Sequence, residues 1–460
     1  MLRQKRVLCL VLSLVVVFSL IGCSQTTEKP QANEGTDKAG TSVKAETSAK
    51  AAEPVDLLFW EMMWGPSDVW TAGVEKQVAK FNEEHPNINV KVQLLPWDNY
   101  YQQFLTAVTT ESAPDVSTGA FQQSIQYAAM DKVLDLSSIV DEWKADGTYD
   151  DFLKGSIELH QYKGIQAGIP WTCDPRFITY RKDIFEQAGI KKMPTSWDEF
   201  LDICRQIKNK TGITPFAIPG GDQNSSTTLM QTMFSNGIGI CDANGQSTFS
   251  DPKVVESLKF YDTLYKEGLI SKGCASYKAN DLLTLLQNGK TAMILLGMPG
   301  QIYYGDPKVG KLLGVMPTFA SKTGGEAHGL NWVNPIVAYK QTEHPEECKT
   351  FIKWWVENSL SLFTEAGAVT YPVRGSFLKN DFYLKDPMLN EITNNVIPYC
   401  VTPVWPTANL YPAFSQIDGE KYVGMALQEV LIGNDDLQGI ADKQNAMISK
   451  AIKDMTEVDK

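Results

Sequence analysis

The sequence is poor in the side chains on which most enzymatic chemistry depends. It has four histidines, at positions 85, 160, 328 and 344, and none stands in a local cluster of nucleophiles or metal ligands. The motifs GxSxG, HExxH and GxxxxGK[ST] do not occur, nor does a haem, flavin or dinucleotide signature. These absences argue against hydrolases of those classes, P-loop ATPases and cofactor enzymes. We therefore predict no catalytic residue and no cofactor.

Cysteine is also scarce, with eight residues in a chain of 460, and no two of them form a CxxC pair. Because no histidine lies near the cysteines in a zinc-binding spacing, we predict no metal site. Six cysteines follow residue 23, at positions 173, 204, 241, 274, 348 and 400. They could pair in an oxidising compartment, but two of them fall on apolar faces of predicted helices, where a thiol packs as a small hydrophobe. We favour mostly free thiols.

Basic residues are fewer than acidic ones. The chain has 54 acidic and 42 basic residues, for a net charge of −12. This balance argues against nucleic acid as a partner and against electrostatic binding to anionic lipid. The ~400 residues after the N-terminal region exceed one typical domain, which favours two lobes.

The N-terminus carries the clearest motif. Arg3, Lys5 and Arg6 precede an apolar run over residues 7–21, an order typical of a secretory signal. The run is shorter than the ~20 residues that a membrane-spanning helix needs. The run ends in Leu-Ile-Gly-Cys, which resembles the bacterial lipobox, in which the chain is cut before a cysteine that then carries lipid. An ordinary signal peptide with a coincidental cysteine is the alternative.

This motif and the segment after it set the first domain boundaries. Residues 24–53 are nearly free of large apolar side chains, so they cannot offset the entropy of ordering. We predict a signal peptide over residues 1–22, and lipidated Cys23 with a flexible linker over residues 23–53. The protein would then be extracytoplasmic and held to the bacterial cell membrane by lipid alone.

Strand and helix patterns alternate after residue 54. A buried strand at 56–60, an alternating strand at 88–94 and a short strand at 113–116 are separated by two stretches of helical spacing. This order predicts a βαβαβ unit, in which ligands gather at the carboxyl ends of the strands. Trp60, Glu61 and the segment 118–123 would surround that edge.

The second half has its own α/β signals. Ser196 and Glu199 have the spacing of a capping box at a helix start, and Asn244-Gly245 is a hairpin signal. Asp251-Pro252 predicts another helix start. Apolar residues spaced along 348–355 predict a further amphipathic helix, which follows Pro345.

Four segments resemble the extracellular solute-binding proteins of ABC importers, particularly the sugar-binding group related to maltodextrin-binding protein. They are residues 178–200, with Ile-Thr-Tyr-Arg-Lys-Asp-Ile-Phe and Pro-Thr-Ser-Trp-Asp-Glu-Phe; 288–297, with Asn-Gly-Lys-Thr-Ala-Met-Ile; 329–338 with the helix that follows; and 367–374, with Tyr-Pro-Val-Arg. The similarity runs through residues 54–460 in the same order.

The resemblance implies an α/β, two-lobe periplasmic-binding-protein-like fold with a hinge and an inter-lobe ligand cleft. The N-terminal lobe would comprise residues 54–169 plus 329–371, and the C-terminal lobe residues 170–328 plus 372–460. The implied function is capture of a mono- or oligosaccharide by hinge closure and its delivery to the transmembrane subunits of an ABC permease. We expect a monomer.

A sugar site needs polar groups for the hydroxyls and aromatic rings for the apolar faces of the sugar. The strand-end argument and the resemblance together single out a set of candidate ligand-binding residues: Trp60, Glu61, Trp64, Gln122, Gln123, Asp174, Asn224, Trp332, Arg374, Trp405 and Tyr411.

Three alternatives stay open. The ligand could be a polyol, a glycerol-phosphate compound or a polyamine. The chain could be a lipid-anchored glycan adhesin or sensor subunit with the same cleft. Glu61 and Asp174 could in principle form the carboxylate pair of a glycosidase, which is the least favoured of the three.

Overall fold

A computed structural model describes residues 54–322, 325–407 and 411–458. The predicted signal peptide, Cys23 and the linker lie outside the described residues. No helix within the described ranges combines the length and the apolar character needed to cross a bilayer.

One mixed sheet organises the fold, and a separate two-stranded ribbon (β4 with β5) stands apart from it. The strands are β1 Val55–Met62, β2 Ile88–Leu95, β3 Val116–Thr118, β4 Gln161–Tyr162, β5 Ile165–Gln166, β6 Ile169–Arg181, β7 Thr214–Ala217, β8 Thr291–Leu296, β9 Leu313–Met316, β10 Gly329–Ala338, β11 Tyr371–Pro372 and β12 Cys400–Val401. The main path of the sheet runs β2-β1-β3-β10-β6-β8-β7.

Helices cover the faces and ends of the sheet. They are α1 Ser67–Glu84, α2 Tyr100–Thr109, α3 Gln123–Ala129, α4 Ser137–Asp146, α5 Lys182–Ala188, α6 Trp197–Thr211, α7 Asn224–Ser235, α8 Pro252–Lys266, α9 Ala279–Gln287, α10 Gly300–Tyr303, α11 Pro307–Gly310, α12 Pro345–Asn358, α13 Leu360–Thr364, α14 Gly375–Leu378, α15 Asp381–Lys385, α16 Pro387–Asn395, α17 Ala413–Gly419, α18 Tyr422–Leu431 and α19 Leu437–Val458.

The predicted βαβαβ unit is confirmed. Strand β1 is parallel to both β2 and β3, with Phe59 opposite Val116. The third strand begins three residues later than predicted, at Val116. Pro114 has no N–H to donate to a ladder, so regular pairing starts after it. The carboxyl ends of β1 and β3 therefore lie side by side.

Strands β6 and β10 join the two halves of the sheet. They are antiparallel to each other, with Trp332 opposite Asp174. One end of β10 pairs with β3, while the far end of β6 pairs with β8 and β9. The short strand β11 adds to the middle of β6, at Thr172 and Cys173. The chain thus passes between the halves through a hydrogen-bonded ladder, whose register shifts once, between Asn334 and Pro335.

The helix starts follow from capping side chains. Asp251 accepts a hydrogen bond from the backbone N–H of Lys253 at 2.8 Å and begins α8, as predicted. Ser196 caps α6 through the N–H of Glu199, but only this half of the predicted capping box forms. The Glu199 carboxylate instead accepts from the N–H of Thr195 at 2.6 Å, because the residue before the cap also has an unsatisfied donor.

The Asn244-Gly245 signal produces a turn without the strands of a hairpin. A single bridge joins Cys241 and Ser247, and Gly245 has a φ of 75°. The Asp242 side chain accepts from the N–H groups of Asn244 and Gln246, which satisfies the turn locally. With those donors already satisfied, the flanking residues do not extend the ladder.

The prediction of free, packed thiols is confirmed. All six cysteines after residue 23 are unpaired, and five of them are buried. Cys204 lies on the buried face of α6 and Cys348 on the buried face of α12, as the apolar spacing of those helices predicts. Burial raises the pKa of the Cys348 thiol to about 12, so this group stays protonated at neutral pH.

Candidate functional site

A buried carboxyl group lies where β1 and β3 end. Thr118, the last residue of β3, donates a hydrogen bond to Oε2 of Glu61 at 2.7 Å. The same hydroxyl accepts from the backbone N–H of Met62 and from the indole N–H of Trp64, at 3.1 and 3.4 Å. Adjacent parallel strands thus place one carboxyl, one hydroxyl and one indole together.

Glu61 has no exposed surface, and its Oε1 has no hydrogen-bond partner among the described residues. Burial raises the pKa of this carboxyl well above its usual value, and the hydrogen bonds from Thr118 and Trp64 offset the effect only in part. A buried acceptor without a partner costs about 1–3 kcal/mol. Such a group is poised to accept a hydrogen bond from a ligand.

Aromatic rings surround this end of the sheet. The ring of Trp64 packs edge-to-face on Trp171 of β6 and on Trp97, with centroids 5.8 and 4.7 Å apart. Trp60 packs edge-to-face on Phe104 at 5.4 Å, and its buried Nε1 has no partner in the described part of the chain. Rings of this kind supply flat apolar surface together with an N–H donor.

The crossing strands add a second aromatic group and an ion pair. Trp332 of β10 lies 6.0 Å from the ring of Phe121, which follows β3. On the facing strand, Arg176 contacts Asp174 at 2.5 Å, and each side chain is 16% exposed. Burial raises the pKa of the Asp174 carboxyl, and the Arg176 charge opposes the rise. Gly297 leaves room for the pair, since a Cβ there would lie 3.2 Å from the Asp174 oxygen.

Helix α17 approaches the same region from the C-terminal part of the chain. Its Asp418 accepts through Oδ2 from the side-chain amide of Gln122 at 2.9 Å, and Ser415 donates to the Gln122 carbonyl at 3.2 Å. The amide of Gln223 donates to the Asp418 carbonyl. Phe414 packs on Phe121 at 6.0 Å. Segments almost 300 residues apart therefore share one set of contacts.

We call this set of residues the junction network: Trp60, Glu61, Trp64, Phe121, Gln122, Trp171, Asp174, Arg176, Trp332, Phe414, Ser415 and Asp418. Many of its buried polar atoms have no partner within the described ranges. These are Nε1 of Trp60, Trp171 and Trp332, Oε1 of Glu61 and Gln122, Nε of Arg176 and Oδ1 of Asp418. Native proteins leave few such atoms unpaired, so their grouping here makes the network a candidate ligand site.

Two predicted ligand residues form local hydrogen bonds instead. The Gln123 carboxamide accepts from the N–H of Ala120 at 2.9 Å and donates to the Tyr127 hydroxyl at 3.4 Å. Asn224 donates to the carboxylate of Asp222 through both its backbone and its side chain. Both amides therefore serve the turns in which they lie.

Three other predicted residues lie around the network. Arg374 donates to Asp151 at 2.7 Å, and its guanidinium lies between the rings of Phe152 and Phe377. The ring of Trp405 lies 5.0 Å from that of His328, just before β10. Tyr411 packs on Phe414 at 6.0 Å, which connects it to the network. Trp405 and Tyr411 are half-buried, and Arg374 is held in an ion pair with Asp151.

Sequence analysis missed Asp418, Phe414 and Trp171. Asp418 is separated from Gln122 by 296 residues, and nothing in the local pattern of α17 distinguishes it from a solvent-facing acid. Trp171 could have been found, because it lies near the start of the strand that crosses between the halves. In the described ranges no three His, Cys, Asp or Glu side chains are grouped so as to hold a metal ion.

Comparisons with known proteins agree with this architecture. A binding protein of Brucella abortus (strain 2308) is 23% identical over 82% of this chain and 90% of the relative. An arabinooligosaccharide-binding protein of Halalkalibacterium halodurans is 24% identical over 65% of this chain and 66% of the relative. A sugar transporter from Arthrobacter chlorophenolicus A6, solved with bound laminaribiose, superposes with a TM-score of 0.79 at 25% identity, over 86% of this chain and 99% of that one.

The α/β, two-lobe periplasmic-binding-protein fold predicted from the sequence is confirmed by that superposition. The bacterial extracellular solute-binding protein model matches residues 67–359, which include β6, β10 and half of the junction network. The chain belongs to the family of bacterial extracellular solute-binding proteins.

Proposed function

We propose that this protein captures a sugar in the junction network and delivers it to the permease of an ABC importer. The observation that supports this most is the concentration of buried, unpartnered polar atoms beside aromatic rings. A sugar fits such a surface because its edge offers hydroxyls and its faces offer C–H groups. The names of the Halalkalibacterium and Arthrobacter relatives add support, since both refer to sugars.

Binding would close two lobes around the ligand. We propose residues 54–169 plus 329–371 as one lobe and 170–328 plus 372–460 as the other, with β6 and β10 as connecting strands. Gln122 then belongs to the first lobe and Asp418 to the second, so their 2.9 Å hydrogen bond would join the two lobes. The ligand supplies the difference in free energy between open and closed forms.

The protein would perform no chemistry on its ligand. Glu61 is hydrogen-bonded to Thr118 and Asp174 is paired with Arg176, and the matching family is one of binding proteins. We propose a monomer whose partners are the sugar and the transmembrane permease subunits, without nucleic acid.

We further propose that Cys23 carries lipid and holds the protein to the outer face of the cell membrane. The lipobox-like sequence before Cys23 supports this. Replacing Cys23 with Ala should move the protein from the membrane fraction to the soluble fraction. Retention of Cys23→Ala in the membrane fraction would contradict the lipid anchor without touching the sugar proposal.

The first test is thermal melting of the unlipidated chain from residue 24 with neutral sugars, polyols, glycerol phosphate and polyamines. A ligand at 1,000 times its Kd adds about 4 kcal/mol to the stability of the folded state. Since a chain of this size unfolds with an entropy of about 0.8 kcal/mol per kelvin, the melting temperature should rise by about 5 °C. A response confined to polyols or polyamines would refute the sugar assignment, and silence to every class would favour an adhesin.

A further inference from the structure

Only one of the two carboxyl oxygens of Asp418 accepts a hydrogen bond from a described residue. Its Oδ2 accepts from Gln122 at 2.9 Å, and its backbone carbonyl accepts from Gln223. Its Oδ1 has no hydrogen-bond partner in the described part of the chain, and the residue is 5% exposed. None of the salt bridges between described residues includes Asp418.

The groups around Asp418 do not supply a compensating charge at contact distance. Helix α2 presents Tyr100 and Tyr101, and burial raises the pKa of both phenols, so they are neutral. Beyond α17, Glu420 and Lys421 are exposed. Burial raises the pKa of the Asp418 carboxyl from 3.8 to about 6. The hydrogen bonds from Gln223 and Gln122 and the charge of Lys421 offset only part of the effect of burial. The carboxyl group is therefore ionised but weakly stabilised at neutral pH.

The rest of the junction network offers no unpaired positive charge. Glu61 is buried with one free oxygen, and Asp174 already occupies the guanidinium of Arg176 at 2.5 Å. The network thus holds three carboxyls and one cationic side chain, whose charge is already paired. A further negative charge placed here would meet unscreened repulsion in a medium of low polarity.

The unpartnered atoms also define what a ligand must offer. The free oxygens of Glu61, Gln122 and Asp418 need donors, whereas the free indole N–H groups of Trp60, Trp171 and Trp332 need acceptors. A hydroxyl group provides both. A carboxylate or phosphate provides acceptors alone, and an ammonium group provides donors alone.

We propose that Asp418, in a network without an unpaired cationic side chain, makes this site prefer uncharged polyhydroxyl sugars to acidic ones such as uronates and sugar phosphates. The inference rests on the proposed function and narrows its substrate class. Asp418 would accept a hydrogen bond from a sugar hydroxyl through Oδ1 and repel an anionic substituent placed at the same position. It is a specificity-determining residue that contacts the ligand.

The test uses matched sets that differ in one substituent. Calorimetry at pH 8 would compare glucose with glucuronate and glucosamine, galactose with galacturonate and galactosamine, and the β-1,4-linked disaccharides of glucose, glucuronate and glucosamine. The neutral member of the binding set should bind at least 100-fold more tightly than its acidic counterpart, and the amine should also bind more tightly than that acidic counterpart. Asp418→Asn should narrow the neutral-to-acidic ratio at least tenfold, whereas Glu420→Gln, an exposed carboxylate two residues away, should leave it unchanged.

A second measurement avoids dependence on the folding of the variant. In the wild-type protein, lowering the pH from 8 to 5 should narrow the same ratio at least tenfold, because Asp418 becomes protonated while an exposed sugar carboxylate stays ionised. Acidic sugars that bind as tightly as the neutral ones, or more tightly, would overturn the proposal and leave sugar binding intact. Silence towards all three members of every set, on a sample that melts cooperatively, would overturn the proposed function itself.

Discussion

Substituting Asp418 with Asn should stabilise the ligand-free protein at pH 8 and have almost no effect at pH 4. The folded state holds this carboxyl with a pKa of about 6, against 3.8 for an unperturbed aspartate, and burial is the main cause. The folded state therefore binds the proton more tightly than the unfolded state. Its contribution to stability is fully present below pH 3.8 and is lost as the pH rises through 6.

The size of the effect follows from this difference. About two pH units correspond to about 3 kcal/mol, since each unit is worth about 1.4 kcal/mol. The unfolding entropy of roughly 400 residues converts this to a rise of about 3–4 °C in the melting temperature at pH 8. At pH 4 the wild-type carboxyl is largely protonated in the folded state, so the variant should differ by less than about 1 kcal/mol.

Differential scanning calorimetry of both proteins at pH 4 and pH 8 measures the difference directly. Asn keeps the shape of the side chain and an oxygen that can accept from Gln122. Glu420→Gln removes a charge from the same end of α17 at an exposed position and should shift neither melting temperature. A variant that is less stable than wild type at pH 8, or equally shifted at both pH values, would refute the assignment of a buried, poorly compensated charge.

Three further outcomes are expected. Replacing Trp332 or Trp405 with Ala should weaken sugar binding at least tenfold, as measured by calorimetry. Trp332→Ala should also lower the free energy of unfolding by about 3–5 kcal/mol, because this residue is only 9% exposed. Unchanged affinity in both variants would show that the sugar binds elsewhere. Burial alone would raise the pKa of the Asp151 carboxyl, but hydrogen bonds from Ser376 and Arg374 outweigh burial and lower the pKa. The ionised Asp151 therefore stabilises the fold above its unfolded pKa, and this stabilisation is lost as the pH falls through the folded pKa. Asp151→Asn should therefore cost about 1–3 kcal/mol in urea unfolding at pH 7 and less at pH 3, and a uniform loss would argue against the ion pair. The five buried cysteines should react with a thiol reagent at pH 8 far more slowly in the folded protein than in denaturant; fast labelling of these five in the native state would contradict their burial.

Local patterns predicted the elements well because their causes are local. The alternation at 88–94 depends on neighbouring residues, and it became β2 with nearly the same bounds. The start of α8 at Asp251-Pro252 likewise depends on one side chain and one ring. Where a second donor competed, as at Thr195 beside α6, the pattern was only half right.

The candidate site was harder to predict because it depends on contacts between distant segments. Gln122 and Gln123 are adjacent and chemically identical. The side chain of Gln122 donates to Asp418, whereas that of Gln123 accepts from the backbone N–H of Ala120. Their roles are decided by which face of the short helix α3 meets α17. A single sequence carries no signal for such a contact, and Asp418 was missed for this reason.

The pairing of β3 with β10 also constrains the order in which the protein can fold. Thr118 faces Ile336, so the edge of the first three strands stays without its neighbour until residue 336 has been synthesised. Contacts between such distant segments form late, because a long loop must close before they are gained. In a growing chain the proposed N-terminal signal would therefore emerge long before the central sheet could be completed.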